Sequence, residues 1–218
     1  MTAHITTTQL GDVTVSAISV SAMDNNCYLL QSGGDQLLID AADDAPAIRD
    51  LLAANGGGRL RTIVTTHQHW DHHRALAKIA TLSGATTMAG EEDADALPVA
   101  PDRRLRHGDV VDVDSEGHVR LDVIALRGHT PGSVALVLRE PQGSSHPGRS
   151  HIFAGDSLFP GGPGRTSTPE DFDSLMTDLE RRVFDVFPDD TLVYPGHGKG
   201  TTLGAERPHL AEWRARGW

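Results

Sequence analysis

Cysteine is almost missing: Cys27 stands alone among 218 residues. That excludes an intrachain disulfide and a thiolate metal cage, and leaves Cys27 to be read as a small buried strand residue. Long apolar runs are missing too. No stretch approaches the ~20 residues that a bilayer-spanning helix needs. The opening segment MTAHITTTQL lacks the basic and apolar regions of a secretory leader. No basic run offsets a formal net charge of −11, which excludes a general binder of nucleic acid or of anionic membranes. Linkers, charge blocks and short-period repeats are also lacking. The chain therefore reads as one domain, 1–218, cytoplasmic, with a small-molecule substrate and no nucleic-acid or membrane partner.

Histidine is what the chain has in quantity. Four of its 12 histidines fall within Thr66-His67-Gln68-His69-Trp70-Asp71-His72-His73. This stretch follows the apolar run Thr62-Ile63-Val64-Thr65 and precedes a helical pattern over Arg74–Leu82. In an extended segment His67, His69 and Asp71 share a face, and a turn before the helix brings His72 to the same point. Imidazole and carboxylate are the usual ligands of a borderline divalent cation such as zinc.

The rest of the chain alternates. Strands are expected at Ile5–Thr8, Val13–Ser19, Asn26–Gln31 and Gln36–Ile39, then a helix over Ala45–Ala54. After the histidine stretch come a strand at Thr86–Ala89, a short helical segment in Glu91–Leu97 and a loop over Pro98–His107. A hairpin-like pair follows at Asp109–Val113 and Val119–Ala125, then strands at Ser133–Leu138, Ile152–Ala154 and Leu192–Tyr194. Arg139–Ser150 reads as an exposed loop. Glu170–Phe184 has Phe172, Leu175, Leu179 and Val183 on one face with Thr168 available as cap, and Pro208–Arg216 reads as a C-terminal helix. Two halves of similar make-up suit two sheets with helices outside.

Three more polar residues stand just past apolar strands in glycine turns: His129 in Gly128-His129-Thr130-Pro131-Gly132, Asp156 in Gly155-Asp156-Ser157, and His197 in Pro195-Gly196-His197-Gly198. Glycine there lets the backbone turn sharply and approach a site. Together with the first stretch they supply enough ligands for two ions that share a bridging carboxylate and leave positions open for water. Asp40, ending the buried strand Leu37–Ile39, is the natural partner for a ligating histidine.

His-x-His-x-Asp-His, Gly-His-Thr-Pro-Gly-Ser, Gly-Asp-Ser-Leu-Phe and Pro-Gly-His-Gly, in this order, resemble the metallo-β-lactamase superfamily from Asn25 through His197. Gly155–Phe159 together with Gly162-Pro163-Gly164-Arg165-Thr166 resembles its glyoxalase II (hydroxyacylglutathione hydrolase) branch. The resemblance implies an α+β fold, a four-layer αββα sandwich with the metal site at one edge. It implies that His67, His69 and His129 hold a first metal, that Asp71, His72 and His197 hold a second, and that Asp156 bridges them. The chain departs from the pattern in three places. His73-Arg74-Ala75 stands where the family often has Gly-Gly, and Gly198-Lys199-Gly200 where longer members carry tyrosine. With the chain ending at Trp218, the C-terminal helical domain that contributes basic residues to glutathione is expected to be lacking. These departures bear on glutathione as the thiol, not on hydrolysis.

The expected chemistry is hydrolysis of a thioester or related acyl bond by a hydroxide held between two divalent ions, Zn2+ first, with Fe or Mn as alternatives. Asp71 is the expected catalytic group besides being a ligand. Arg165 offers a planar fork to a substrate carboxylate or phosphate, or else a salt bridge that orders its glycine-rich loop; Lys199 is a weaker version of the same. Trp70 is expected to pack against the site wall, and His73 to support a ligand or face solvent. Three competing readings remain: an iron persulfide dioxygenase using His67, His129 and Asp156, a lactonase or β-lactamase, and a non-catalytic metal-binding protein.

Overall fold

Two-residue alternation in the apolar strands builds the architecture. The computed structural model describes residues 4–217. In its first sheet β1 (Thr6–Leu10), β2 (Val13–Val20), β3 (Asn25–Ser32) and β4 (Asp35–Ile39) form an antiparallel meander. β5 (Arg59–Thr65), β6 (Thr86–Gly90) and β7 (Arg103–Leu105) then add in parallel. The crossovers carry α1 (Ala45–Ala53) and α2 (Leu76–Ser83). The second sheet contains β8 (Val110–Asp112), β9 (Arg120–Ala125), β10 (Val134–Arg139) and β11 (Ser150–Gly155). A small ribbon of β12 (Leu158–Phe159) and β13 (Gly162–Pro163) and the helix α3 (Pro169–Leu179) follow. β14 (Leu192–Pro195) then joins β11 in parallel, with β15 (Thr201–Thr202) outside it, before α4 (Leu203–Glu206) and α5 (Leu210–Arg216).

Successive strand residues point to opposite faces, and every central strand is buried on both. Leu37 and Ile39 enter a core between the sheets, while Leu38 faces α1 and α2. Leu136, Leu138 and Phe153 meet that inter-sheet core from the other side, while Val137, Ile152 and Ala154 pack on Phe172, Leu175 and Leu179 of α3. The result is the expected four-layer αββα order. α3 starts where the sequence says it should: Pro169 occupies its first turn and the Thr168 side chain accepts from Asp171 N.

This layout gathers one edge. The parallel pairs β4–β5 and β11–β14 leave their C-terminal ends on the same side of the sandwich, where loops from a rigid sheet can converge. Backbone bonds stitch the two sheets there, from Val134 N to Thr66 O at 2.9 Å and from Asn26 N to Gly196 O at 2.7 Å.

Several sequence expectations are corrected. The loop expected over Pro98–His107 contains β7, a three-residue edge strand whose two arginines face out and whose Leu105 is buried; such charged, short edges carry little apolar signal. The helix expected over Glu170–Phe184 is α3 followed by a π-turn over Glu180–Phe184. The C-terminal helix begins earlier than Pro208, as α4 and a 3-10 turn at Arg207–His209 that leads into α5. Trp70 is not packed on a wall but 59% exposed. Trp213 is buried within this chain beside Phe184; Trp218 lies outside the described residues. Among the described residues no helix is long and apolar enough to cross a membrane.

Candidate metal centre

The site is assembled from strand ends. Past β5 the chain leaves the sheet at Thr66, and a 3-10 turn at Trp70–His72 brings Asp71 and His72 back beside His67 and His69. His129 comes from the β9–β10 connection, Asp156 from the end of β11 and His197 from the end of β14. Gly155, with φ 49°, turns the chain sharply before Asp156, and a Cβ there would meet Thr66 Cβ at 2.8 Å. Gly196 lies so close to the cluster that a Cβ would stand 2.2 Å from Asp156 Oδ1.

Each histidine but one is oriented by a partner on its outer nitrogen. His72 Nδ1 donates to Asp40 Oδ2 at 2.9 Å. Thr66 Oγ1 gives its proton to Asp40 Oδ2 and so accepts from His67 Nδ1 at 3.0 Å. His129 Nδ1 donates to Arg165 O at 2.6 Å, and His197 Nδ1 to Met23 O at 2.8 Å. These bonds fix the tautomers. They turn Nε2 of His67, His72, His129 and His197 inward, with Nδ1 of His69 among them. Asp71 and Asp156 add carboxylate oxygens to the same space.

Seven acceptor-bearing side chains therefore converge with few protons between them. His69 Nδ1 lies 2.8 Å from His129 Nε2, and His72 Nε2 lies 3.0 Å from His197 Nε2. Asp156 reaches His72 at 3.5 Å, His197 at 3.4 Å and His129 at 3.6 Å. Asp71 Oδ2 is 3.3 Å from His197 Nε2 and 3.6 Å from His72 Nε2. Ligand atoms at ~2.0–2.1 Å around one tetrahedral ion stand about 3.3 Å from each other. The spacing fits, and His67 Nε2 and Asp156 Oδ1 are buried with no hydrogen-bond partner among the described residues. An orphaned lone pair and an orphaned carboxylate oxygen in a buried cluster need a cation. His67, His69 and His129 form one group and Asp71, His72 and His197 another, with Asp156 in contact with members of both.

Electrostatics divide the cluster between a free lone pair and rings at which a proton competes with a cation. Burial, reinforced by the neighbouring imidazole of His72, pushes His67 well below its ordinary range, so its lone pair stays free. Burial alone would also depress His72, but the carboxylates of Asp156 and Asp40 override it and push the ring up to about 10, so a proton competes with a cation for its Nε2. Burial opposes ionisation of Asp156, yet the rings of His197 and His72 beside it hold it far below the usual carboxylate range. Asp71 is likewise held down against burial, first by the Asn25 amide at 2.9 Å.

Three supporting residues carry no signal in the sequence reading. Asn25 Nδ2 donates to Asp71, and Asn25 Oδ1 accepts from Ser21 Oγ. Thr66 relays Asp40 to His67. Fully buried Asp93 accepts from Gln68 N, Thr130 Oγ1 and Gly132 N, tying the two histidine loops together. Asp40 does what the sequence anticipates for it. His73 is buried, its Nε2 donating to Gln68 O, and stands outside the ligand groups. Arg165 and Lys199 are exposed, and neither side chain has an ion-pair partner among the described residues. Arg165 lines a 260 Å³ cavity with Thr166, Phe172 and Arg216, so the loop-ordering salt bridge considered for it is not formed.

The chain is similar to known proteins. The hydroxyacylglutathione hydrolase of Fuscovulum blasticum is 35% identical over 178 residues, covering 80% of this chain and 62% of that protein. The chain thus spans about six tenths of the length of such relatives. Hydroxyacylglutathione hydrolase GloC of Haemophilus influenzae is 26% identical over 211 residues, covering 88% of this chain and 94% of GloC. Among solved structures, TTHA1623 in a di-iron-bound form superimposes with a TM-score of 0.69 at 29% identity, covering 88% of this chain and 96% of that one. The profile of the metallo-beta-lactamase superfamily matches residues 21–197, and the chain belongs to that superfamily.

Proposed function

We propose that the protein is a metal-dependent hydrolase that cleaves a thioester or related acyl bond, in the manner of the hydroxyacylglutathione hydrolases it resembles. One observation carries the reading: seven acceptor-bearing side chains surround a centre that opens to solvent at His69, His129 and His197. A structural zinc site is normally closed by four ligands; this one has ligands for two ions and an open side. We assign His67, His69 and His129 to the first ion, Asp71, His72 and His197 to the second, and Asp156 to both. Zn2+ is the first choice, and the di-iron form of TTHA1623 makes iron the second.

Divalent ions bound there would lower the pKa of a coordinated water to about 7 and polarise a carbonyl oxygen. The chain's own groups do the rest. Asp71, ionised at neutral pH and steadied by Asn25, orients the attacking water and accepts its proton. The rings of His72 and His129 are held from outside by Asp40 and the Arg165 carbonyl, so the reacting atoms meet a preorganised frame. A thiolate leaves readily, so the frame needs no strong acid. Arg165, without an ion-pair partner among the described residues and beside His129, is assigned to an anionic group of the substrate, with Lys199 as a second cation near His197. Of the competing readings, one iron held by His67, His129 and Asp156 would leave Asp71, His72 and His197 converging without purpose.

The test is metal analysis alongside turnover on a panel of acyl thioesters, lactones and β-lactams. Two ions per chain with preferential thioester hydrolysis is expected. One iron per chain with oxygen consumption would overturn the hydrolase reading, as would a His129→Ala variant with full metal and full rate.

A further inference from the structure

Two of the large apolar side chains left exposed among the described residues share one spot: Met23 at 47% and Trp70 at 59%. Arg74 joins them. The centre of its guanidinium lies 3.8 Å from the centroid of the Trp70 ring, and its Nη2 lies 3.9 Å from Met23 Sδ. Asp43 accepts from Arg74 Nη1 at 2.7 Å and neutralises the charge. Both apolar residues are rooted at the Asp71/His72/His197 group. Trp70 directly precedes Asp71, and the Met23 carbonyl holds His197 Nδ1.

A tryptophan costs free energy to expose, and an exposed apolar patch on a monomeric surface marks a contact site. Here a cation covers one face of the ring and stiffens it, while more than half of the side chain stays open to solvent beside a metal centre. Because the cation is itself paired, the patch attracts no anion. It offers an indole and a thioether, a flat rigid surface and an adaptable one. We propose that Met23 and Trp70 form a specificity platform that receives an uncharged alkyl or aryl arm of the substrate, with Arg74 and Asp43 as positioning residues. The proposal rests on the hydrolase reading for the bond that is cut, but not for the binding it describes.

Two series of non-hydrolysable thioethers, one lengthened on the acyl side and one on the thiol side, would be titrated against the metal-loaded chain by tryptophan emission and calorimetry. One series should tighten by about two- to fourfold per added methylene and perturb the emission; which series does so assigns the arm. Trp70→Ala and Met23→Gln should flatten that dependence, and Trp70→Phe should keep most of it. Metal content is measured for each variant. If Trp70→Ala loses metal, Met23→Gln decides, since it keeps the carbonyl that holds His197. Absence of any chain-length dependence, or an unchanged dependence in Met23→Gln, overturns the platform. So does a sedimentation result in which these variants dissociate a dimer, which would give the face to a second copy. If the dependence appears but no thioester is cleaved, the platform stands and the hydrolase reading falls.

Discussion

Asp40 sits in the left-handed region at φ 58°, and from there one carboxylate serves three donors: Thr66 N, Thr66 Oγ1 and His72 Nδ1. Two ligand-bearing rings depend on it, His72 directly and His67 through Thr66. Asp40→Ala should lower metal affinity by about 10–100-fold, the usual effect of removing such an outer partner, measured by competition with a chromogenic chelator. Asp40→Asn should fall between, because its amide still accepts from Thr66. The role of Asp40 was legible in the sequence, since a carboxylate ending a buried strand at the site edge has few other uses. The roles of Asn25 and Asp93 were not. Asn25 meets Asp71 across 46 positions and Asp93 meets Thr130 across 37, and no local spacing encodes contacts between segments so far apart in the chain. Trp70 misled for a different reason. Its place between two ligands suggested enclosure, whereas the 3-10 turn that points Asp71 and His72 inward leaves the residue before them pointing out.

At the scale of elements, alternation and caps were readable and short edges were not. The two-faced apolar runs Leu37–Ile39, Ser133–Leu138 and Ile152–Ala154 declared buried strands, because each face has its own core. β7, β12, β13 and β15 are two or three residues long, and register with a neighbour defines them more than composition does. α3 shows how a local signal becomes measurable stability. Its Thr168 hydroxyl satisfies Asp171 N at 3.1 Å, so Thr168→Ala should cost about 1 kcal/mol in urea unfolding, with an unchanged m value. Metal content should not move, because the helix supports the sheet from its outer face.

Across the whole molecule the two ends of β11 carry different chemistry. Asp156 follows one end; His151 stands near the other, fully buried, with Nε2 donating to Glu140 at 2.8 Å and Nδ1 accepting from Tyr194 Oη at 3.0 Å. Burial opposes ionisation of Glu140, yet bonds from His151, Ser144 and Arg149 hold its carboxyl down at about 2. Burial keeps His151 below its ordinary value, hence neutral when folded. The signs agree. The unfolded chain protonates His151 from about pH 6.5 downward and Glu140 from about pH 4.3, so both contributions are full at neutral pH and decline with acid. Unfolding free energy should fall from pH 7 toward pH 3, with Glu140 accounting for on the order of 2–3 kcal/mol once the pH nears its folded value. Denaturant titrations across that range check it, and Glu140→Gln should remove the steeper, lower part of the profile.

Chelation should act on the same scale. The proposed ligands come from both sheets, so each bound ion is a cross-link between layers as well as a reagent. At a hundredfold excess over Kd one ion adds about 2.7 kcal/mol, and in a chain of this size removing it should lower Tm by ~5–10 °C, read by calorimetry with and without a chelator.

The amides of Asn26 and Val134 cross from one sheet to the other at this edge, which makes them reporters of how the sandwich opens. With metal bound, the layers are pinned beside them, and their protons should exchange with deuterium only when the whole molecule unfolds. Stripped of metal, the layers lose that cross-link, and the same two amides should exchange first, by a local parting of the layers, while Leu30 and Leu136 deep in the shared core stay protected. The order in which these protons are lost then measures, residue by residue, how much of the fold's cooperativity belongs to its metals.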